Sequence, residues 1–80
     1  MRITVYSKPQ CVQCDATQRT LRSVGADFTV VDLTEQPAAL EYVTEDLGYS
    51  QAPVVVVEDG TGQHHWSGYN RDRLKAAAAA

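Results

Sequence analysis

The sequence is poor in several features that define common protein classes. It holds two cysteines, one tryptophan, one phenylalanine and one methionine, so a framework of several disulfides is excluded. No apolar run approaches the roughly 20 residues that a membrane-spanning helix needs, so we expect no membrane association. Seven basic residues stand against ten acidic ones, for a net charge of -3. Because no basic run is present, we also expect no nucleic-acid partner.

The remaining composition is that of one small folded domain over residues 1–80. Hydrophobic residues make up 44% of the chain, which is typical of a globular core. The N-terminus lacks a signal-peptide pattern and runs directly into a predicted strand. A pair of cysteines outside any disulfide framework fits a reducing compartment. We therefore expect a cytoplasmic protein that acts as a monomer.

The hydrophobic pattern predicts seven elements in the order β-α-β-α-β-β-α. Strands are expected at residues 3–7, 28–33, 54–57 and 63–67, and helices at 12–24, 35–47 and from Asn70 onward, with Asn70 as a cap. Residues 58–62 are expected to form a turn-rich hairpin loop. The residues expected to face inward from the first two helices are Cys14, Thr17, Leu21, Val24, Leu40, Val43 and Leu47.

Four consecutive valines at 54–57 predict a central strand that is covered on both faces. The first two strands, joined by a helix, are expected to pair in parallel through a right-handed crossover. The last two strands form a hairpin and are expected to be antiparallel. The sequence therefore predicts an α/β domain with a four-stranded mixed sheet and helices on both sides.

Cys11 and Cys14 are spaced C-x-x-C between the first strand and the first helix. The free N–H groups and the dipole at a helix N-terminus favour an anion, so we expect a stabilised thiolate on Cys11. Cys14 follows one helical turn later, close enough to form a disulfide. This layout is typical of a dithiol redox site. We expect Cys11 to be the exposed nucleophile and the less exposed Cys14 to resolve its mixed disulfide.

Two other interpretations of the cysteines stay open at this point. A structural disulfide over so short a loop would remove little entropy from the unfolded chain. A zinc site completed by His64 and His65 would need both side chains to reach one ion, although adjacent residues on a strand point to opposite faces. We expect both histidines to be surface residues of an edge strand.

Four motifs occur together along the chain: Tyr6-Ser7-Lys8-Pro9 followed by Cys11-Val12-Gln13-Cys14, then Gly48-Tyr49, Gln51-Ala52-Pro53-Val54-Val55-Val56, and Trp66-Ser67-Gly68-Tyr69. Together they resemble the NrdH-type redoxins, a glutaredoxin-like branch of the thioredoxin superfamily. The resemblance implies a small thioredoxin-like fold and a dithiol–disulfide oxidoreductase. It also implies electron transfer from thioredoxin reductase to the large subunit of class Ib ribonucleotide reductase, with no cofactor beyond the Cys11–Cys14 disulfide.

The resemblance also implies roles for residues around the cysteines. Pro53 is expected to follow a cis peptide bond and to bring the Ala52 backbone beside Cys11, where an extended partner segment can pair as an added strand. Trp66 is expected to be partly exposed near a docking surface, and Gly68 to adopt an unusual backbone angle. The remaining residues expected to contact substrate or partner are Lys8, Val12, Gln13, Ser67 and Tyr69.

Lys8 is also near enough in sequence to place a positive charge beside the thiolate, although a solvated surface lysine is the alternative. For Tyr69, packing is the first expectation and partner contact the second.

Two departures from the family pattern are visible. Asn70-Arg71 stands where Arg-Pro is usual, and the loop around residues 60–62 looks longer than typical. A glutathione-dependent glutaredoxin or mycoredoxin-like protein is the alternative function, but its Gly-Gly-x-Asp-Asp-like segment before the last helix is missing. A non-catalytic or iron–sulfur-binding thioredoxin-like module is the alternative of another class, and the intact C-x-x-C argues against a non-catalytic adaptor.

Overall fold

A computed structural model describes residues 1–79. The elements are β1 (Arg2–Ser7), α1 (Val12–Ser23), β2 (Thr29–Asp32), α2 (Pro37–Glu41) with a π-helical continuation (Tyr42–Asp46), β3 (Val54–Asp59), β4 (Gly62–Ser67) and α3 (Arg71–Ala79). The sheet order is β2-β1-β3-β4. β1 pairs with β2 in parallel, whereas β3 is antiparallel to both β1 and β4. The predicted element order and the mixed sheet are confirmed.

The valines of β3 separate two apolar clusters, one on each face of the sheet. Val55 and Val57 pack in the cluster that contains Leu21 of α1 and Leu74 of α3. On the other face, Val54 and Val56 pack against Val43 of the π-helical segment. All four β3 valines are between 0% and 3% exposed. The prediction of a central strand covered on both faces is confirmed.

The second helix begins later than predicted. The Asp32 carboxylate accepts the backbone N–H of Thr34 at 2.8 Å, and the N–H groups of Glu35 and Gln36 donate to the Asp32 carbonyl at 3.1 Å. These bonds hold the predicted first turn of the helix in a separate turn. The helix therefore starts at Pro37, a position that tolerates proline because its N–H is not needed there.

Two of the residues expected to face inward do not. Leu40 is 46% exposed and Val24 is 40% exposed. Val24 is the C-cap residue of α1, so it lies past the last turn that packs on the sheet. Leu40 lies on the wall of a surface groove. The change to π-helical bonding after Glu41 also shifts the phase of the helix, so a 3.6-residue stripe does not describe it.

The hairpin loop is shorter than predicted. β3 and β4 remain paired out to Asp59 and Gly62, which leaves Gly60 and Thr61 as the turn. The Asp59 carboxylate accepts the Thr61 N–H at 2.8 Å and the Thr61 hydroxyl at 2.6 Å. This Asx-type turn closes the hairpin in two residues, so the loop bounds predicted at 58–62 are wrong. No helix within residues 1–79 combines the length and apolar character needed to cross a membrane.

Candidate redox site

The two cysteines lie where β1 passes into α1. The connecting turn ends at Gln10, whose φ of 56° is in the left-handed region, and Cys11 follows as the N-cap residue of α1. Cys14 lies in the first turn of the helix. A disulfide joins the two residues, with their Cα atoms 5.2 Å apart, within the range that disulfide geometry requires. The predicted dithiol pair is therefore present.

The Cys11 sulfur lies at the positive end of α1. Its Sγ accepts the backbone N–H of Cys14 at 3.2 Å, which satisfies one of the N–H groups that a helix leaves free at its start. In the reduced protein the same N–H and the helix dipole favour a thiolate at this sulfur. The fold therefore provides the anion-stabilising position that the sequence predicted for Cys11.

The exposure of the two cysteines differs in the predicted direction, although Cys11 is less exposed than expected. Cys11 is 9% exposed and Cys14 is 0% exposed. The reason is the neighbouring main chain, because the Cys11 Sγ lies 4.0 Å from the carbonyl oxygen of Ala52. Cys11 thus keeps a small exposed area, whereas Cys14 has none.

The segment that precedes β3 contacts the disulfide through its backbone. The Ala52–Pro53 peptide bond is cis, as the resemblance implied. Pro53 is buried, and Ala52 is half-buried. The half-buried Ala52 therefore lies beside the more accessible sulfur, and we call its backbone the docking edge, after the role that the resemblance implies for it.

The turn of residues Ser67–Tyr69 bonds to both the cysteine helix and the proline segment. The Gly68 N–H donates to the Pro53 carbonyl at 2.8 Å. The Tyr69 N–H donates to the side-chain oxygen of Gln13 at 2.9 Å, and the Ser67 hydroxyl donates to the Gln51 carbonyl at 2.7 Å. Five of the expected contact residues, Gln13, Pro53, Ser67, Gly68 and Tyr69, are thus brought together at one place.

Gly68 has a φ of 86°, a region that disfavours side chains, so the unusual angle expected there is confirmed. Tyr69 is 38% exposed, and its hydroxyl lies 2.8 Å from the Thr20 hydroxyl. Tyr69 is therefore anchored to α1 by a hydrogen bond as well as partly exposed. Sequence reasoning missed Thr20, although it lies seven residues after Gln13, which places both on one face of a helix.

Trp66 lies elsewhere, and the expectation that it is partly exposed is wrong. It is 7% exposed and packs in the cluster with Val55 and Leu74. The Arg73 guanidinium stands 4.4 Å from the centre of its ring. Because side chains alternate along a strand, Trp66 points to the α3 side, away from the Gln51 carbonyl to which Ser67 donates. Trp66 therefore has little surface left for a partner to contact.

Two further predicted contact residues flank the cysteines. Val12 is 81% exposed and offers an apolar surface next to Cys11. Lys8 is exposed and lies on the rim of a groove of about 210 Å³ that ends at Ala52. The apolar residues that line this groove are Leu33, Leu40, Val43 and Tyr49. The sequence did not predict that they form a groove together.

His64 and His65 point to opposite faces of β4. His64 Nε2 lies 3.5 Å from the Asp59 carboxylate, and His65 Nδ1 lies 2.8 Å from the Tyr49 hydroxyl on the other face. Within residues 1–79, no group of three or more histidine, cysteine or acidic side chains is placed to hold a metal ion.

The pKa of Asp59 in the hairpin is held below its usual range. Hydrogen bonds from the Thr61 side chain and backbone are the leading causes, and the His64 charge acts in the same direction, whereas burial raises the pKa.

The departure at Asn70 has a structural role. Its side-chain oxygen accepts the backbone N–H of Arg73 at 3.1 Å, so Asn70 caps α3 as predicted. Arg71 is then the first residue of the helix. Asparagine thus supplies a helix start where the family usually has Arg-Pro.

Comparison with known proteins agrees with this geometry. The Glutaredoxin family matches residues 3–62. Glutaredoxin-like protein NrdH of Escherichia coli strain K12 is 38% identical over 74 residues, which are 92% of this chain and 85% of that protein. Glutaredoxin-like protein NrdH of Lactococcus lactis is 37% identical over 57 residues, which are 71% of this chain and 78% of that protein.

Among solved structures, the NrdH-redoxin of Escherichia coli superposes with a TM-score of 0.85 at 37% identity, covering 95% of this chain and 93% of that one. The likeness includes the strand-to-helix junction that holds the cysteines. The chain therefore belongs to the glutaredoxin family, among its NrdH-type redoxins, and is a thiol–disulfide oxidoreductase with its C-x-x-C pair at Cys11 and Cys14.

Proposed function

We propose that this protein carries electrons from thioredoxin reductase to a class Ib ribonucleotide reductase in the cytoplasm, with no cofactor beyond its own disulfide. The observation that carries the proposal is the 4.0 Å separation between the Cys11 sulfur and the Ala52 carbonyl. An extended segment of a partner can pair with such a main-chain edge and place its own disulfide at the sulfur. The resemblance to NrdH-type redoxins, which implies this acceptor, agrees with the 38% identity to the Escherichia coli NrdH protein.

Electron transfer to the acceptor takes two thiol–disulfide exchanges. The Cys11 thiolate attacks one acceptor sulfur, an S–S bond forms between them, and the acceptor disulfide breaks. The second acceptor sulfur leaves as a thiolate and takes up a proton. Cys14 then loses its proton and attacks the Cys11 sulfur, and the first acceptor sulfur leaves as a thiolate that also takes up a proton. The acceptor has gained two electrons and two protons, and the Cys11–Cys14 disulfide awaits reduction.

The burial of Cys14 sets the order of these exchanges. At 0% exposure, its sulfur cannot be reached by a disulfide on another protein. It can still attack Cys11, because the two sulfurs are within bonding distance in the oxidised protein. The mixed disulfide is therefore expected on Cys11 alone.

The segment before α3 supports thioredoxin reductase rather than glutathione as the electron source. The backbone N–H groups of Gly68 and Tyr69 already donate to Pro53 and Gln13, and the Asn70 side chain caps α3. These groups are therefore not free to bind the carboxylate and amine of glutathione. The structure of the Escherichia coli relative is described as explaining a thioredoxin-like activity profile, which agrees with this choice.

One feature favours the alternative of a glutathione-dependent glutaredoxin. Lys8 stands on the rim of the groove that ends at Ala52, and its ammonium could pair with one glutathione carboxylate. A single cation leaves the other charged groups of the tripeptide without partners, so we expect weak binding there.

The test compares two electron sources by following NADPH oxidation during ribonucleotide reduction. One reaction contains thioredoxin reductase, and the other contains glutathione with glutathione reductase. We expect the first to be faster by at least about tenfold, the factor that one lost charge-assisted hydrogen bond corresponds to. The Cys11→Ser variant, which lacks the attacking sulfur, is the inactive control for both reactions. Equal rates would favour the glutaredoxin alternative. Failure of both reactions, with chemically reduced protein still reducing the acceptor, would reject both electron sources.

A further inference from the structure

We propose that Gln13 is a positioning residue that fixes the docking edge at Ala52 relative to the Cys11 sulfur. The rate of electron transfer to a disulfide carried on a peptide then depends on Gln13, whereas the rate of electron transfer to a small disulfide does not. This inference deepens the proposed function and rests on its peptide-docking step. Gln13 is exposed and lies between the two cysteines, so the fold does not need its side chain for core packing.

Hydrogen bonds connect Gln13 to the docking edge through the Ser67–Tyr69 turn. The side-chain oxygen of Gln13 accepts the Tyr69 N–H at 2.9 Å. One residue earlier, the Gly68 N–H donates to the Pro53 carbonyl at 2.8 Å. The turn is thus held by the cysteine helix on one side and by the proline segment on the other. A shift of either side must move or break one of these bonds.

The Gln13 side chain also lies next to the backbone of Gly68 in the turn. A Cβ atom built at Gly68 would lie 3.4 Å from the Gln13 side-chain oxygen. The oxygen therefore packs directly against the backbone of the turn. A φ of 86° at Gly68 favours glycine there as well. The position of the turn is set by contact with Gln13 as well as by the hydrogen bond.

A second attachment prevents the turn from pivoting about Gln13. The Tyr69 hydroxyl lies 2.8 Å from the Thr20 hydroxyl. Thr20 and Gln13 are two helical turns apart on the same face of α1. Two attachment points on one helix fix both the distance and the direction of the turn. These hydrogen bonds consequently fix the positions of the cysteine helix, the turn and the docking edge relative to one another.

The two classes of substrate use this arrangement differently. A small disulfide needs only an accessible sulfur on Cys11. A peptide disulfide must also pair its main chain with Ala52 while one of its sulfurs stands in line with the Cys11 thiolate. Misplacement of the docking edge relative to the sulfur therefore slows the peptide reaction, because the two requirements are no longer met together.

The experiment measures single-turnover rates of the chemically reduced protein with two oxidants. One is a flexible synthetic peptide closed by a disulfide between two cysteines, and the other is a small aromatic disulfide. For Gln13→Met, which keeps the side-chain length and removes the acceptor, we expect the peptide rate to fall about three- to tenfold, as expected for one hydrogen bond. The small-disulfide rate should stay within about twofold. The melting temperature confirms that the variant is folded.

The control is Gln18→Met, the same change on the same helix. The Gln18 side-chain oxygen accepts from Arg22 at 3.2 Å within α1, so neither rate should change. Tyr69→Phe removes the second attachment and should lower the peptide rate alone. An equal fall of both rates in Gln13→Met, no fall in either, or the same effect in Gln18→Met would overturn the proposal. The assay contains no reductase enzyme, so an error in the proposed partners leaves it interpretable.

Discussion

Removing a buried valine from β3 should destabilise the protein much more than removing an exposed valine from β2. Val55 is 0% exposed and is paired with Val5 and Trp66. Val30, on the edge strand, is 43% exposed. Val55→Ala and Val30→Ala delete the same two methyl groups, so the difference between them measures the packing around Val55.

The expected loss follows from burial. Two buried methyl groups correspond to about 1.6 kcal/mol of transfer free energy, and the space left behind adds about 1 kcal/mol. In a domain of this size, a loss of about 2–3 kcal/mol lowers the melting temperature by about 10–20 °C. Val30→Ala should cost no more than about 0.5 kcal/mol.

The assay is thermal unfolding of the oxidised proteins, followed by far-UV circular dichroism. Val54→Ala tests the opposite face of the sheet, where Val54 is also 0% exposed. It should lower the melting temperature as much as Val55→Ala does. Melting temperatures within a few degrees of each other for all three variants would refute the two-sided packing of β3. A mild effect of Val54→Ala alone would show that the α2 face is not tightly packed.

Two further predictions concern the hairpin and α3. Thr61→Ala should raise the Asp59 pKa, measured by an NMR pH titration, more than His64→Gln does, because the Thr61 hydroxyl is the leading cause of its lowered pKa; the reverse order would contradict this assignment. Since the folded pKa is lowered, the Asp59 contribution to stability is present above the unfolded pKa of about 3.9 and is lost as pH falls through the folded pKa. Arg73→Met removes the cation over the Trp66 ring and should lower the free energy of unfolding, measured with denaturant, by about 0.5–1 kcal/mol. A variant as stable as the parent protein would show that this cation–π contact does not contribute to stability.

The sequence predicted the features that depend on local order along the chain. Four adjacent β-branched valines favour a strand that is covered on both faces, so the position of β3 followed from them. The C-x-x-C pair between a strand and a helix similarly indicated where the reactive sulfur lies. In both cases the structure depends on residues that are close in sequence. The hydrophobic pattern of a strand and the start of a helix are both set by the local sequence.

The features that the sequence did not predict depend on which surfaces meet. The bond between Gln13 and Tyr69 joins residues 56 positions apart, and no pattern in either segment indicates it. Leu40 has the spacing of a core residue but lines an open groove. The resemblance predicts a partly exposed Trp66, whereas its side chain packs in the core with Val55 and with Leu74 of α3. Packing between distant elements decided each of these positions.

The central claim is that Cys11 attacks and Cys14 resolves. The most direct test is to mix each reduced single-cysteine variant with a disulfide-closed peptide and to identify the mixed disulfide by mass spectrometry. Cys14→Ser should trap the peptide on Cys11, because the resolving sulfur is absent. Cys11→Ser should trap almost none, because Cys14 is 0% exposed. A stable adduct on Cys14 in the Cys11→Ser protein would contradict the account.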